Sequence, residues 1–477
     1  MIGREKERSE LQRLYFSGKA ELVAVYGRRR VGKTFLIDDT FSDKITFRHA
    51  GLAPEKIGDD QSKLKAQLEH FYYSLQVQGM RPENKPKSWL EAFYMLETAL
   101  QKIDDGNRQV GFLDELPWMD TPKSKFITAF EAFWNSWGCH RKNLMVIVCG
   151  SATSWIQDKL INNHGGLYNR LTYEIKLSPF NLRECEEFFN YKNIHLSRYD
   201  ITQSYMVFGG IPYYLGYFQD GLSLAQNVDQ LIFTENAKLK GEYDRLFSSI
   251  FVNPDTAKTI VNVLSKRNIG FTRSEITEKT GIEDGGSLSE SLTALIASDF
   301  IIKYVPFGRG NHEHYKLTDP FCIFYLHFIE GNKGFSANFW QNNISSPSIS
   351  SWRGFAFENI CFCHIRQIKD ALGITGVVSQ ESAWAHMEYS GKKGVQIDLL
   401  INRNDNVINM CEMKYYSEKF EVTKDYYEHL LHCQNVLSNE ISAKTSIHNT
   451  LITTFGLVQN KYSGFFSNTI TLEDLFK

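Results

Sequence analysis

Five apolar residues, Leu22-Val23-Ala24-Val25-Tyr26, run directly into Gly27-Arg28-Arg29-Arg30-Val31-Gly32-Lys33-Thr34 and then into Phe35-Leu36-Ile37. No other stretch of the chain constrains its fold as strongly. A short continuous apolar run suits a strand buried on both faces of a parallel sheet. The loop that follows has the spacing GxxxxGK[ST], in which glycines let backbone N–H groups turn inward on phosphates. At ordinary glycine usage of about 7%, a chain of this length matches by chance roughly twice in a hundred. The strand before the loop and the apolar helix after it make chance less frequent still.

Two further runs extend the pattern. Val110-Gly111-Phe112-Leu113 ends at Asp114-Glu115, and Leu144-Met145-Val146-Ile147-Val148-Cys149 ends at Gly150-Ser151. Helical periodicity lies between the three runs, over 89–102 and 126–137. Strands alternating with helices predict an α/β parallel sheet, with ligands at the C-terminal strand ends. There the loop from Gly27 to Phe35 would hold ATP. Lys33 would reach the β- and γ-phosphates, and Thr34 would ligate magnesium. Asp114 would hold the same ion, and Glu115 would polarise the attacking water as a general base. Ser151 is placed to sense the γ-phosphate, or is a turn serine. Arg28, Arg29 and Arg30 either add charge near the phosphates or face solvent.

Residues 1–178 are expected to form this phosphate-binding core, and 179–250 a helical lid. Residues 251–330 read as three helices and a hairpin, the order of a winged helix. Its second short helix, Ser287 to Leu295, carries no Lys or Arg and includes Glu290. Phosphate neutralisation supplies much of the affinity for DNA, so protein packing is the favoured role. Lys303, Arg309 and Lys316 on the wing leave weak DNA contact open. Residues 331–350, rich in Asn, Ser and Gly, read as a linker, and 351–477 as a separate α/β domain.

In that last domain Val395-Gln396-Ile397-Asp398-Leu399-Leu400-Ile401 reads as a strand. A turn follows, and then a returning strand with Glu412-Met413-Lys414. Residues two apart on a strand share a face, so Glu412 and Lys414 point the same way. Asp398 sits among aliphatic residues, a poor place for an idle carboxylate. Asp398 and Glu412 would hold magnesium, Lys414 would orient water, and Glu358 would assist from the helix that Phe355-Ala356-Phe357-Glu358 opens. Sharing a metal requires that 398 oppose 412 and 402 oppose 408, with an odd-length loop or a bulge.

In their order along the chain, these motifs resemble the archaeal-type ATPase family, in the STAND branch of P-loop ATPases related to AAA+ proteins. The resemblance rests on Ile2-Gly3-Arg4-Glu5, the Gly27–Thr34 loop, Leu113-Asp114-Glu115-Leu116-Pro117-Trp118 and Gly150-Ser151. It also rests on Gly209-Gly210-Ile211-Pro212 and Tyr315-Lys316-Leu317-Thr318-Asp319-Pro320-Phe321. The terminal Asp…Glu-x-Lys pattern resembles the PD-(D/E)xK nuclease core. The resemblance implies that Gly3 and Arg4 lie near the adenine and that Pro212 packs on the base or ribose. It also makes Arg170 a candidate finger arginine, although Asn169 stands where the family has glycine. Its expected partners are ATP, DNA or RNA, and proteins or further copies of itself.

The formal net charge of -2 provides no global field for nucleic acid. The eight cysteines include no CxxC pair, which suits a reducing cytoplasm. Cys361, Cys363 and His364 read as one face of an apolar helix rather than a metal site. The N-terminus has no apolar leader, and no run approaches the roughly 20 apolar residues that span a bilayer.

Overall fold

All six residues of β1 (Glu21–Tyr26) are buried, as are all seven of β4 (Leu144–Gly150). β1 pairs in parallel with β4 on one side and with β5 (Tyr173–Lys176) on the other. β3 (Gln109–Asp114) lies beyond β4, and β2 (Ile45–Ala50) beyond β3. The result is a five-stranded parallel sheet of order β2-β3-β4-β1-β5. β2 and β5 carry mixed polar sequences and close the two edges. The helices Trp89–Lys102 and Phe126–Ser136 fall where the sequence periodicity puts them. Their aromatic rings build one core: Phe93 stacks on Phe133 at 5.3 Å, and Trp89 meets Phe126 edge-on at 5.0 Å.

The computed structural model describes residues 2–53, 59–162, 165–167, 169–251, 253–308, 310, 312–331, 336–386 and 394–477. The chain forms two compact units. One comprises Met1–Ser178 with Ser249–Phe251, and the other Pro179–Ser248 with Val252–Lys477.

The second unit begins with helices, among them Leu182–Tyr191 and Arg198–Phe208. Helices Pro254–Leu264, Arg273–Thr280 and Gly286–Ala297 follow. They accompany an antiparallel sheet of β6 (Phe271–Thr272), β8 (His314–Leu317) and β7 (Ile301–Tyr304), in that order. The stretch read as a linker holds a helix, Phe339–Asn343, whose Trp340 is buried against Phe324, Phe328 and Trp352. The Asp229 carboxylate accepts the Trp340 and Gln341 N–H groups at 2.7 and 3.0 Å, satisfying two donors at the start of that helix. Surrounding Asn and Ser residues conceal this anchor in the sequence.

The helix Pro347–Cys363 then leads into β9 (Ser379–His386), β10 (Val395–Arg403) and β11 (Val407–Lys414). β12 (Ser446–Thr453) and β13 (Asn468–Ile470) complete a sheet of order β13-β12-β11-β10-β9. β9, β10 and β11 are antiparallel, and β11, β12 and β13 parallel. Glu358 therefore lies well inside a helix that begins at Pro347, not at the opening of one. No helix of the described residues is long and apolar enough to cross a membrane.

Candidate functional sites

β1 delivers the chain to Gly27 at φ 147, where an added Cβ would stand 2.1 Å from the Leu177 carbonyl oxygen. Only glycine fits there. Gly32, at φ 92, then caps the helix Lys33–Phe41 in the left-handed conformation. The loop between them curls around the Lys33 ammonium, which donates to the carbonyls of Gly27 at 2.8 Å and Arg28 at 3.0 Å. Arg28 is 1% exposed, so the solvent-facing alternative fails for it, whereas Arg29 and Arg30 are half-buried. Val31 is buried, and Phe35 lies exposed on the helix.

β3 ends beside this loop. The Thr34 hydroxyl donates to the Asp114 carboxylate at 2.8 Å, and the other Asp114 oxygen accepts the Glu115 N–H at 2.9 Å. Glu115 takes φ 45, a left-handed turn that leads into the short helix Leu116–Met119. Its carboxylate accepts two hydrogen bonds from Ser151, at the end of β4. Four sequence-derived residues, Lys33, Thr34, Asp114 and Glu115, thus sit at the C-terminal ends of β1 and β3, which flank β4, and Ser151 at the end of β4 touches Glu115. A hydroxyl and a carboxylate at this separation suit magnesium, a hard cation that usually takes one or two carboxylates and completes its shell with phosphate oxygens and water.

Gly3 has φ 49, and the buried Arg4 donates to the Ser178 carbonyl at 2.6 Å. Asn169 adopts φ 53, the conformation a glycine would take, which Asn tolerates through its short polar side chain. The turn is thereby preserved, with the Arg170 N–H donating to the Leu167 carbonyl at 3.0 Å and Arg170 itself exposed. In the second unit, Pro212 starts a short helix. Gly210 before it approaches Phe180 so closely that an added Cβ would stand 1.8 Å from a backbone oxygen.

The second unit holds another cluster. β10 pairs with β11 as Leu399↔Cys411 through Asn402↔Ile408, a register that, continued one step beyond the paired run, opposes Asp398 to Glu412. The hairpin closes over three residues, 404–406, with Asn406 left-handed at φ 63. On its other side β10 shifts register against β9, so that Asp398 and Leu399 face the single residue Ala383. The Asp398 carboxylate escapes the regular ladder and accepts the Met413 N–H at 3.1 Å. Burial, then the neighbouring Glu412 and Glu358 carboxylates, push the Asp398 carboxyl well above its ordinary value. Glu412 accepts from Lys414 and from the Tyr426 hydroxyl. Burial, then the charges of Lys316, Lys414 and Glu412, act on Glu358, with a net upward shift. Among the described residues, no three His, Cys, Asp or Glu side chains converge as a ready-made metal cage. The two opposed carboxylates are nevertheless oxygen donors of the kind a hard divalent cation takes.

Lys316, read from the sequence as a wing residue open to DNA, is 1% exposed and reaches inward. Its side chain leaves the small sheet toward the helix Pro347–Cys363, where the Phe362 ring and Asn268 enclose the ammonium. Lys303 pairs with Glu313 at 2.8 Å, and Arg309 lies outside the described residues. Tyr426 and Asn268, both part of this cluster, gave no sequence signal, because they come from segments far from the Asp-Glu-Lys strands.

A family described as an ATPase domain predominantly from Archaea matches residues 1–218. An uncharacterized protein of Methanocaldococcus jannaschii is 25% identical over 437 residues, covering 90% of each chain. Among solved structures, a Walker-type ATPase of Pyrococcus abyssi aligns at 17% identity and TM-score 0.47, over 68% of this chain and 96% of that one. The ORC2 protein of Aeropyrum pernix aligns at 13% identity and TM-score 0.41, over 72% and 96%. Residues 1–218 thus match an archaeal-type ATPase domain, which supports nucleotide binding in this part of the chain.

Proposed function

We propose that this ATPase domain hydrolyses ATP as a switch, and that it is coupled to a metal-dependent, nuclease-like site in the C-terminal sheet. The 2.8 Å contact between Thr34 and Asp114 carries the first half, because it joins the phosphate loop to the acidic strand end. Magnesium bound there would neutralise charge on the phosphates. Lys33 would exchange its loop carbonyls for phosphate oxygens, and Glu115 would take the proton of the attacking water. Gly3, Arg4, Pro212 and Arg170 are further nucleotide contacts in this reading, with 179–250 acting as the lid. Lys33→Ala should abolish phosphate release. It should weaken ATP binding by about 10–100-fold, the loss of one charge-assisted contact of roughly 1.5–3 kcal/mol. Wild-type turnover in that variant would overturn the assignment.

The nuclease-like half is supported by the opposed positions of Asp398 and Glu412, with Lys414 one side-chain step along the same face. Glu358 completes the set. In this reading residues 251–330 are a winged helix that packs against protein. Arg273 pairs with Asp284 and Lys303 with Glu313, so these cations are neutralised within the segment. A second reading treats the C-terminal site as a docking module without cleavage. The prior engagement of Glu412 by Lys414 and Tyr426 favours it. Incubating purified protein with DNA and with RNA, in magnesium or manganese, with and without ATP, separates the two. Cleavage lost in Asp398→Asn supports the nuclease, and intact nucleic acid under every condition supports the docking module.

A further inference from the structure

Lys316 lies on β8, in the small antiparallel sheet, yet its ammonium ends beside the helix Pro347–Cys363, 5.1 Å from the Phe362 ring centroid. An ammonium buried this deeply is costly unless hydrogen-bonded and balanced by charge. The hydrogen bonds of Lys316 are made, and nearby charge offsets the cost of burial in part. Its Nζ donates to the Asn268 carbonyl at 2.7 Å and to the Asn268 side-chain oxygen. Glu358 and Asp398 are the carboxylates whose charges act on it. The Asn268 amide nitrogen in turn donates to Glu358, one helical turn before Phe362.

The turn that presents Asn268 is itself fixed. Gly270, at φ 77, lies so close to β8 that an added Cβ would stand 2.2 Å from the Tyr315 carbonyl oxygen. The Arg267 guanidinium donates to the Gly270 carbonyl at 2.6 Å, and the Tyr304 hydroxyl to the Ile269 carbonyl at 2.6 Å. Lys316 locks the amide of Asn268 with its oxygen toward the ammonium, which leaves the NH2 group aimed at Glu358. The chain of contacts runs from β8, through the turn, to the carboxylate on the helix.

We propose that Lys316 and Asn268 are positioning residues for the C-terminal carboxylate site. They hold Glu358 beside Asp398 and Glu412, the two carboxylates that would take a divalent cation. The inference rests on the nuclease-like reading of that site and adds that the site is not self-contained in residues 351–477. Residues around 268 and 316 add a second positive charge to that of Lys414, and an amide donor, which together offset repulsion among the three carboxylates.

The test uses the full chain in a Lys33→Ala background without nucleotide, with Mn2+ as the probe. Affinity and the electron paramagnetic resonance spectrum of the bound ion are the readouts. Partners that orient metal ligands typically change metal affinity by ~10–100-fold when removed. Lys316→Met and Asn268→Ala should each weaken Mn2+ binding by about that factor and alter the spectrum. On the unmutated chain, ATP turnover should stay unchanged in both. Asn268→Ala leaves the Lys316 contact to the backbone carbonyl and guards against a failure of Lys316→Met to fold. Unchanged Mn2+ affinity and spectrum in both variants, alongside loss in Asp398→Asn, overturns the positioning role and leaves the site reading intact. Mn2+ binding that Asp398→Asn does not alter overturns the site reading, and with it this inference.

Discussion

The Glu115 carboxylate is held twice by Ser151, by its backbone N–H at 3.0 Å and by its hydroxyl at 2.9 Å. A carboxylate so engaged cannot also grip a water molecule with the same oxygen. Both bonds fall on Oε2, so turning that oxygen to the attacking water releases the hydroxyl for the phosphate, whereas Oε1 can receive water with both bonds in place. Ser151→Ala removes one restraint of ~1 kcal/mol. It is expected to raise steady-state phosphate release severalfold at saturating ATP. A fall in rate would instead make Ser151 a direct phosphate contact.

Glu115→Gln tests the other partner. The amide keeps the shape and can still accept from Ser151, but it cannot take a proton from water. ATP affinity should stay within about twofold, whereas single-turnover hydrolysis should fall by ~10²–10⁴-fold, the usual contribution of a general base. Parallel loss of binding and turnover would assign Glu115 a structural part in the turn at φ 45.

Gly27→Ala should fail before any chemistry is measured. The added methyl would meet the Leu177 carbonyl at 2.1 Å, and both partners are backbone. Destabilisation on the order of 3–5 kcal/mol is expected, seen as a large drop in melting temperature. Gly32→Ala meets no atom within 4 Å but must still adopt φ 92. Its loss should be smaller and confined more to nucleotide binding.

His364 gives a pH signature. Its ring is fully buried, Nε2 accepts the Leu182 N–H at 3.0 Å, and Nδ1 faces the Ile360 carbonyl at 2.8 Å. Nε2 must therefore be unprotonated, and burial holds the imidazole at about 4, below its ordinary 6.5. A folded value below the unfolded one means that the unfolded chain binds the proton first. The stability from this group is complete above pH 6.5 and is lost as pH falls toward 4. It amounts to on the order of 3 kcal/mol. Melting temperature should fall across that window, and His364→Gln should flatten the slope.

The phosphate loop was legible because its chemistry is local: a strand, two glycines, a lysine and a hydroxyl between Leu22 and Thr34. The β10–β11 register was legible for a different reason. Side chains alternate strictly along a strand, so Asp398 and Glu412 could meet only in one parity. What escaped was set by long-range packing. Arg28 is buried because the loop folds back on the sheet, which no local pattern announces. Lys316 read as a surface cation because a basic residue on a hairpin usually is one. Its burial depends on Asn268 and Glu358, which lie 48 residues before it and 42 after it. β2 and β5, edge strands with mixed polar sequences, lack the apolar run that identified β1 and β4.

The extra residue of β10 opposite Ala383 has a bearing on how this strand can tolerate change. Under strict alternation, Val395 and Ile397 would turn away from Leu400, yet all three pack into one cluster with Met410, Cys433 and Leu437. The bulge shifts the phase of the strand midway, which leaves room for an acidic side chain where an aliphatic one would otherwise continue the core. Removal of either Asp398 or Leu399 would leave one residue opposite Ala383 and a regular ladder, in which Val395 and Ile397 stay on the face of Leu400. The aliphatic core should therefore survive loss of the extra residue, whereas a deletion elsewhere in the strand would turn one half of it away from the core.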